Sequence, residues 1–325
     1  GGTTYKTRVT TGVKDTAGNT LSSQYETSSG FTTEPTFSSS SSSSSGSGVF
    51  VAVGGSGNIV RSTDNGTTWD NVTRPTTNWI WRVIYENSKF LATSDSGNIL
   101  SSSDNGTTWD NNSTRNANGN LGIIYGNNKF VSVGYNGTIL SSSDNGTTWD
   151  NETSGITGGL RDVTFGNNKF VAVGASGKIL TSSDNGTSWD NRTSGISSSL
   201  YEVVFGNNIF VAAGSSGTII TSSDNGTTWD NRTSGKNTSI YDGTFANNTF
   251  VLVGTSATIL TSSDNGTTWD NRTSPRTTSM YGVTYGNNVF VAVGASGTII
   301  ASLDNGTTWD NRTSGTSSVF YGVGF

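Results

Sequence analysis

At 325 residues the chain is long enough for one large or two small domains. Only 30% of residues are hydrophobic and 13% charged, and 43 are glycine, which is the profile of a turn-rich all-β protein; disorder would not space nine Trp, ten Tyr and fourteen Phe so regularly. A net charge of −5 excludes a basic field for nucleic acid or an anionic membrane, and the absence of Cys and His removes disulfides, thiolate metal sites and the usual general base.

No cofactor or metal is therefore expected. No apolar stretch approaches the length of a membrane span. The chain opens on Gly1-Gly2, inside what reads as a strand and without an initiator Met, so a mature or trimmed product is expected.

Residues 1–36 stand apart from the rest of the chain. The Tyr5–Val9 strand, Val13-Lys14-Asp15, Ala17-Gly18-Asn19 and Phe31-Thr32-Thr33 resemble, in that order, the C-terminal part of a bacterial Ig-like domain. Such domains occur in tandem in surface proteins, and half a sandwich leaves strand edges unpaired. Strand addition to a neighbouring copy would give a head-to-tail polymer, so copies of the chain itself are expected partners. Residues 37–48 form a linker, with serine throughout Ser38–Ser45 followed by Gly46-Ser47-Gly48.

From residue 49 to 325 the sequence repeats. The string DNGT begins at Asp64, Asp104, Asp144, Asp184, Asp224, Asp264 and Asp304, seven copies at a spacing of 40. Forty residues suit one four-stranded propeller blade. In one unit the predicted strands are Leu160–Phe165, Lys169–Val173 and Lys178–Ser182, each an apolar run bounded by Gly and Asn. The outermost strand comes after the SSDNGTSW turn. The array begins at Val49 with a second-strand sequence and ends at Phe325 with an inner strand. The last strand can therefore complete the first blade, closing an all-β, seven-bladed ring without open edges.

The segment SSDNGTTW matches S-x-D-x-G-x-T-W in all seven units, with Ser188 replacing one Thr and Thr63 and Leu303 varying a free position. It carries the Trp series Trp69, Trp109, Trp149, Trp189, Trp229, Trp269 and Trp309. On these residues the chain resembles Asp-box (BNR-like) propellers, a group that includes sialidases, sortilin-type receptors and photosystem II assembly-factor-like proteins. The resemblance implies a structural hairpin, and the chemistry agrees. Asn-Gly supplies positive φ, the Asp carboxylate can accept turn N–H groups, and the Trp can pack on the blade. One carboxylate per turn is thin for calcium, which wants six or more oxygens.

Catalysis needs groups with different roles at one point. The repeated Arg192, Arg232, Arg272 and Arg312 lie at equivalent outer positions, so no enzyme is expected. The inner strand does diverge. Arg82, Asp162, Glu202 and Asp242 occupy one column, with Gly at its other three positions; beside it run Trp81, Tyr201, Tyr241, Tyr281 and Tyr321. These residues could line a channel mouth that binds a sugar or a cation, surface carbohydrates included. The alternative is ordinary packing with solvated channel polars.

Sequons are dense. Each unit holds two: Asn65 and Asn71, Asn105 and Asn111, Asn145 and Asn151, Asn185 and Asn191, Asn225 and Asn231, Asn265 and Asn271, Asn305 and Asn311. Asn112, Asn136, Asn237 and Asn247 bring the total to eighteen. A chain rich in Asn, Ser and Thr also generates sequons by chance. If the outer strand ends near Asp70, then Asn71 and its equivalents fall in the connecting loop, and attached glycans would coat the rim. The expectation is a heavily N-glycosylated, extracellular or cell-surface structural or adhesive protein, self-assembling into a fibre. A ligand-binding propeller and an assembly factor are the alternatives.

Overall fold

The computed structural model describes residues 48–114 and 118–325, together with the backbone of four two-residue strands nearer the N-terminus. The chain divides into two units, Gly1–Ser38 and Ser39–Phe325. In the first, Thr4–Tyr5 pairs antiparallel with Phe31–Thr32, and Arg8–Val9 with Tyr25–Glu26. The serine run and the other residues cited for the Ig-like resemblance lie outside the described residues.

The second unit is a seven-bladed β-propeller, its sheets each a four-stranded antiparallel meander. In one blade the strands run Leu160–Gly166, Lys169–Gly174, Ile179–Ser182 and Asp190–Arg192, from the axis outward. Asn167 and Asn168, both with positive φ, make the two-residue hairpin between the first two strands. Closure is as expected: Phe320–Gly324 pairs with Phe50–Gly54, so the last strand becomes the inner strand of the first blade.

The core consists of layers between neighbouring blades. Phe170 and Ala172 of one second strand pack with Val131 and Val133 of the preceding blade, while Val171 and Val173 of the same strand pack with Leu200 and Val203 of the next. Both faces of the strand are thus buried, and FVAV at 170–173 is continuously apolar rather than alternating for that reason. Phe165 lies 4.6 Å, ring centre to ring centre, from Phe170, which lies 6.3 Å from Trp189, so an aromatic row runs outward through the blade. A Cβ on Gly166 would stand 2.2 Å from the Phe205 ring of the adjoining blade, so that ring packs directly on the glycine backbone.

The outer strand differs from expectation. It begins at Asp70 and its equivalents instead of ending there, and Asn71 pairs with Val60 inside it. The reason is local. The seven residues before it, 63–69, do not extend, because Asp64 ties them into a compact turn. Ser62 Oγ donates to Asp64 Oδ1 at 2.8 Å, the N–H groups of Thr67 and Thr68 donate to the same oxygen at 3.1 and 2.9 Å, and Thr68 Oγ1 donates to Oδ2 at 2.6 Å. Gly66 N–H donates back to Ser62 Oγ at 2.9 Å, and Trp69 Nε1 closes the turn on Gly66 O at 3.0 Å. Asn65 and Gly66 both have positive φ. The hydrogen bonds, first that of the Thr68 hydroxyl, hold the Asp64 carboxyl at about 2. Asp104, Asp144, Asp184 and Asp224 are held at about the same value, and Asp264 and Asp304 are lowered as well.

Candidate functional site: the aromatic channel mouth

Each inner strand starts with an irregularity. The pairing shifts register between Ile80 and Arg82, Asn120 and Gly122, Leu160 and Asp162, Leu200 and Glu202, Ile240 and Asp242, Met280 and Gly282, and Phe320 and Gly322. The residue skipped in each case is a β-bulge, which frees one side chain from the pleat. Those seven residues are Trp81, Leu121, Arg161, Tyr201, Tyr241, Tyr281 and Tyr321, and together they ring one mouth of the axial channel.

The rings touch in series. Trp81 lies 4.6 Å from Tyr321, Tyr321 lies 5.6 Å from Tyr281, Tyr281 lies 5.3 Å from Tyr241, and Tyr241 lies 5.6 Å from Tyr201. Trp79, 45% exposed, extends the arc outward, 5.5 Å from Trp81 and 5.6 Å from Tyr321. Asp95 fixes Trp81 by accepting its Nε1–H at 2.6 Å. Burial, and then the neighbouring Tyr281 and Asp95, push the Tyr321 hydroxyl upward. The Arg161 guanidinium is drawn over the Tyr135 ring at 5.6 Å. The mouth encloses a cavity of about 380 Å³, within the range of ligand sites.

The next residue inward supplies the floor. Arg82 Nη2 lies 2.7 Å from Asp162 Oδ1 and donates to Glu202 Oε2 at 2.7 Å, while Nη1 donates to Asp242 Oδ1. The approach to Asp162 Oδ1 is a close ion pair without an aligned N–H, and that oxygen has no hydrogen bond of its own. The carboxylates also grip the blades: Asp162 Oδ2 accepts the N–H of Val203 at 3.1 Å, and Asp242 Oδ2 that of Val283 at 2.6 Å. All three acids are 2% exposed, so the column is not a set of solvated channel polars. Burial pushes the Glu202 carboxyl well above the usual range and the Asp162 carboxyl up, against the pull of Arg82. The column divides the axis, since Arg82 and Asp162 line both the aromatic cavity and a smaller one of about 120 Å³ beyond it.

Every sequence-derived candidate for the mouth is thus brought together there. Leu121, Arg161 and Trp79 were missed. The first two stand in the aromatic column at the same spacing of 40, so the repeat itself could have located them. The other candidates lie elsewhere. Arg192 Nε donates to Thr181 Oγ1 at 2.8 Å on the outer edge, as do Arg232 and Arg272 to their equivalents. Asn71, Asn111, Asn151, Asn191, Asn231, Asn271 and Asn311 are exposed on the outermost strands or at their ends. The turn series is less free: Asn185 and Asn225 are half-buried, and Asn305 Nδ2 donates to Thr249 Oγ1 of the neighbouring blade at 2.6 Å. Asn112 is half-buried, and Asn136, Asn237 and Asn247 are exposed.

No protein-family model matches the chain, and no curated protein matches it. Solved structures do match. The chain is similar to YCF48 bound to D1 peptide, with a TM-score of 0.60 and 18% identity over 74% of this chain and 82% of that one. It is similar to YCF48 from Cyanidioschyzon merolae, with a TM-score of 0.61 and 18% identity over 77% and 89% of the two chains. The computationally designed Ika8 protein gives a TM-score of 0.58 at 13% identity, over 85% and 97%. At such identities the likeness carries the fold alone. The chain is a seven-bladed β-propeller of four-stranded blades, and YCF48 propellers are among its structural neighbours.

Proposed function

We propose that this chain is a non-enzymatic binding propeller that takes a segment of a partner polypeptide at its aromatic channel mouth. The observation that carries the reading is the ring of seven bulged residues, five of them aromatic, around a half-open cavity. Bulges that turn side chains out of a strand mark sites where a sheet addresses something other than itself. The solved YCF48 structure with a bound D1 peptide supports a polypeptide as ligand. The inner carboxylates argue against hydrolysis, because Arg82 occupies the space between them and no acid is left poised as a base. On this reading the repeats are those of an Asp-box propeller. A propeller that holds a polypeptide while a complex is built would be an assembly factor, the role implied by the resemblance to photosystem II assembly-factor-like proteins.

Panning a random peptide library on the full chain tests this. Enriched peptides should lose binding to a Tyr241→Ala/Tyr281→Ala variant that remains folded. Failure to enrich any sequence, or equal binding to the variant, would overturn the reading.

A second reading is favoured by the exposure of Asn71 and its six equivalents. On it the chain is an extracellular glycoprotein with glycans along the blade edges, an adhesive or fibre-forming subunit. An intact mass of native material equal to the bare polypeptide would refute it. The proposed polymer contacts through residues 1–36 lie mostly outside the described residues.

A further inference from the structure

The mouth has a charge pattern as well as a shape. Its floor sets three carboxyl groups against one guanidinium, Arg82 and Asp162 lining the mouth itself and Glu202 and Asp242 lying beneath them, so acids outnumber the cation. Asp95 adds an acid at the rim, where it holds Trp81. Among the described residues Arg161 is the one cation lining the cavity besides Arg82, and the Tyr135 ring holds it. The remaining wall is aromatic apart from Leu121. Aromatic ring faces carry negative electrostatic potential and attract cations, most strongly where water is excluded. Interplanar angles between 29° and 54° along the Tyr series leave the rings splayed around the cavity rather than closed into a parallel stack. An anionic group entering here would meet like charge beneath it in a medium of low dielectric. A neutral sugar would find rings but would leave the floor's charge unanswered. A cation answers both.

We infer that the mouth selects a cationic side chain, a guanidinium or an ammonium group, on the polypeptide segment it takes. The inference rests on the reading of the mouth as a polypeptide site and specifies its chemistry. The chain itself contains the precedent, since Arg161 already places a guanidinium over a tyrosine at this rim.

The test compares two probes of the same shape. Acetyl-Gly-Arg-Gly-amide and its citrulline counterpart differ in charge but hardly in size or hydrogen-bonding outline. Each is titrated into the full chain at low and moderate salt, with the fluorescence of Trp79 and Trp81 as readout. The arginine probe should bind at least about tenfold more tightly than the citrulline probe, and the ratio should shrink as salt screens the floor. Tyr281→Leu keeps apolar bulk but removes a ring face; it should weaken the arginine probe several-fold and leave the citrulline probe nearly unchanged. Asp242→Asn, which removes a floor carboxylate paired with Arg82, should lower the arginine preference without abolishing it, and Tyr281→Leu decides alone should that variant fail to fold. Equal binding of the two probes would overturn the charge selection while leaving the mouth a binding site. Enrichment of acidic or purely apolar peptides in the library experiment, lost in the tyrosine double variant, would do the same. If no peptide of any charge is enriched and neither probe binds, the polypeptide reading falls and this inference falls with it.

Discussion

The outer hairpins and the inner strand starts handle charge in opposite ways. In each hairpin one carboxylate is satisfied within four residues by its own turn, near solvent, and the arrangement recurs seven times. At the inner column four blades contribute one charged residue each, and every partner comes from another blade. The hairpin Asp is pulled down by donors it carries with it. Glu202 and Asp162 are pushed up by a desolvation that exists only once the ring is closed. Identical blades therefore mark local scaffolding, and the places where blades diverge mark what the ring as a whole does.

Removing the shared partner separates the two regions most sharply. Arg82→Met leaves three buried carboxylates without a cation, and it should destabilise the propeller by about 3 to 5 kcal/mol at neutral pH. Urea denaturation at pH 7 and pH 5 checks this, and the deficit should shrink at the lower pH as the acids take up protons. A hairpin lesion is smaller and confined to one blade. Asp144→Ala, which removes the acceptor for Thr147, Thr148 and Ser142, should cost about 1 to 2 kcal/mol. A loss as large as that of Arg82→Met would show that the hairpins are not independent.

The two regions also differ in the sign of their pH dependence. Five of the hairpin carboxyls, those of Asp64, Asp104, Asp144, Asp184 and Asp224, lie at about 2 when folded and near 4 when unfolded, so their stabilisation is complete above pH about 4 and is lost as pH falls through 2. Glu202 is raised, so the folded state keeps a proton that the unfolded chain releases, and that contribution declines as pH rises above the unfolded value. Glu202→Gln should thus gain stability relative to the parent chain between pH 5 and pH 8. Parallel pH profiles would sink the assignment. The smallest stability effect belongs to the mouth. Tyr241→Ala and Tyr281→Ala, at half-buried bulge positions, should each change stability by about 1 kcal/mol or less while removing peptide binding. Equal loss of binding on mutating Asp144 would blur the division between scaffold and site.

Much of the fold was legible in the residues. The spacing of DNGT gave the blade length, the truncated first and last units gave the closure, and the apolar runs gave three strands per blade to within about a residue or two. The outermost strand was misplaced because the Asp64 hydrogen bonds shorten the turn, and no periodicity reports a turn's internal bonding. At the mouth the aromatic and charged columns were legible by alignment of the repeats. Leu121 and Arg161 were passed over because they break the aromatic pattern while keeping its position.

What the sequence determined by itself is whatever is local: the repeat, the strand patterns, the Asn-Gly turns and the composition of each column. These arise from backbone preference and from burial that repeats in every blade. Only the tertiary structure decided that the column residues meet. The bulge at Leu160–Asp162 and its equivalents turns two successive residues toward the axis where period-2 alternation would oppose them. Ring closure then brings Arg82 against Glu202 and Asp242, 120 and 160 residues away. Their charges become a floor to the aromatic cavity because the closed channel removes their water, and no stretch of sequence carries that property on its own.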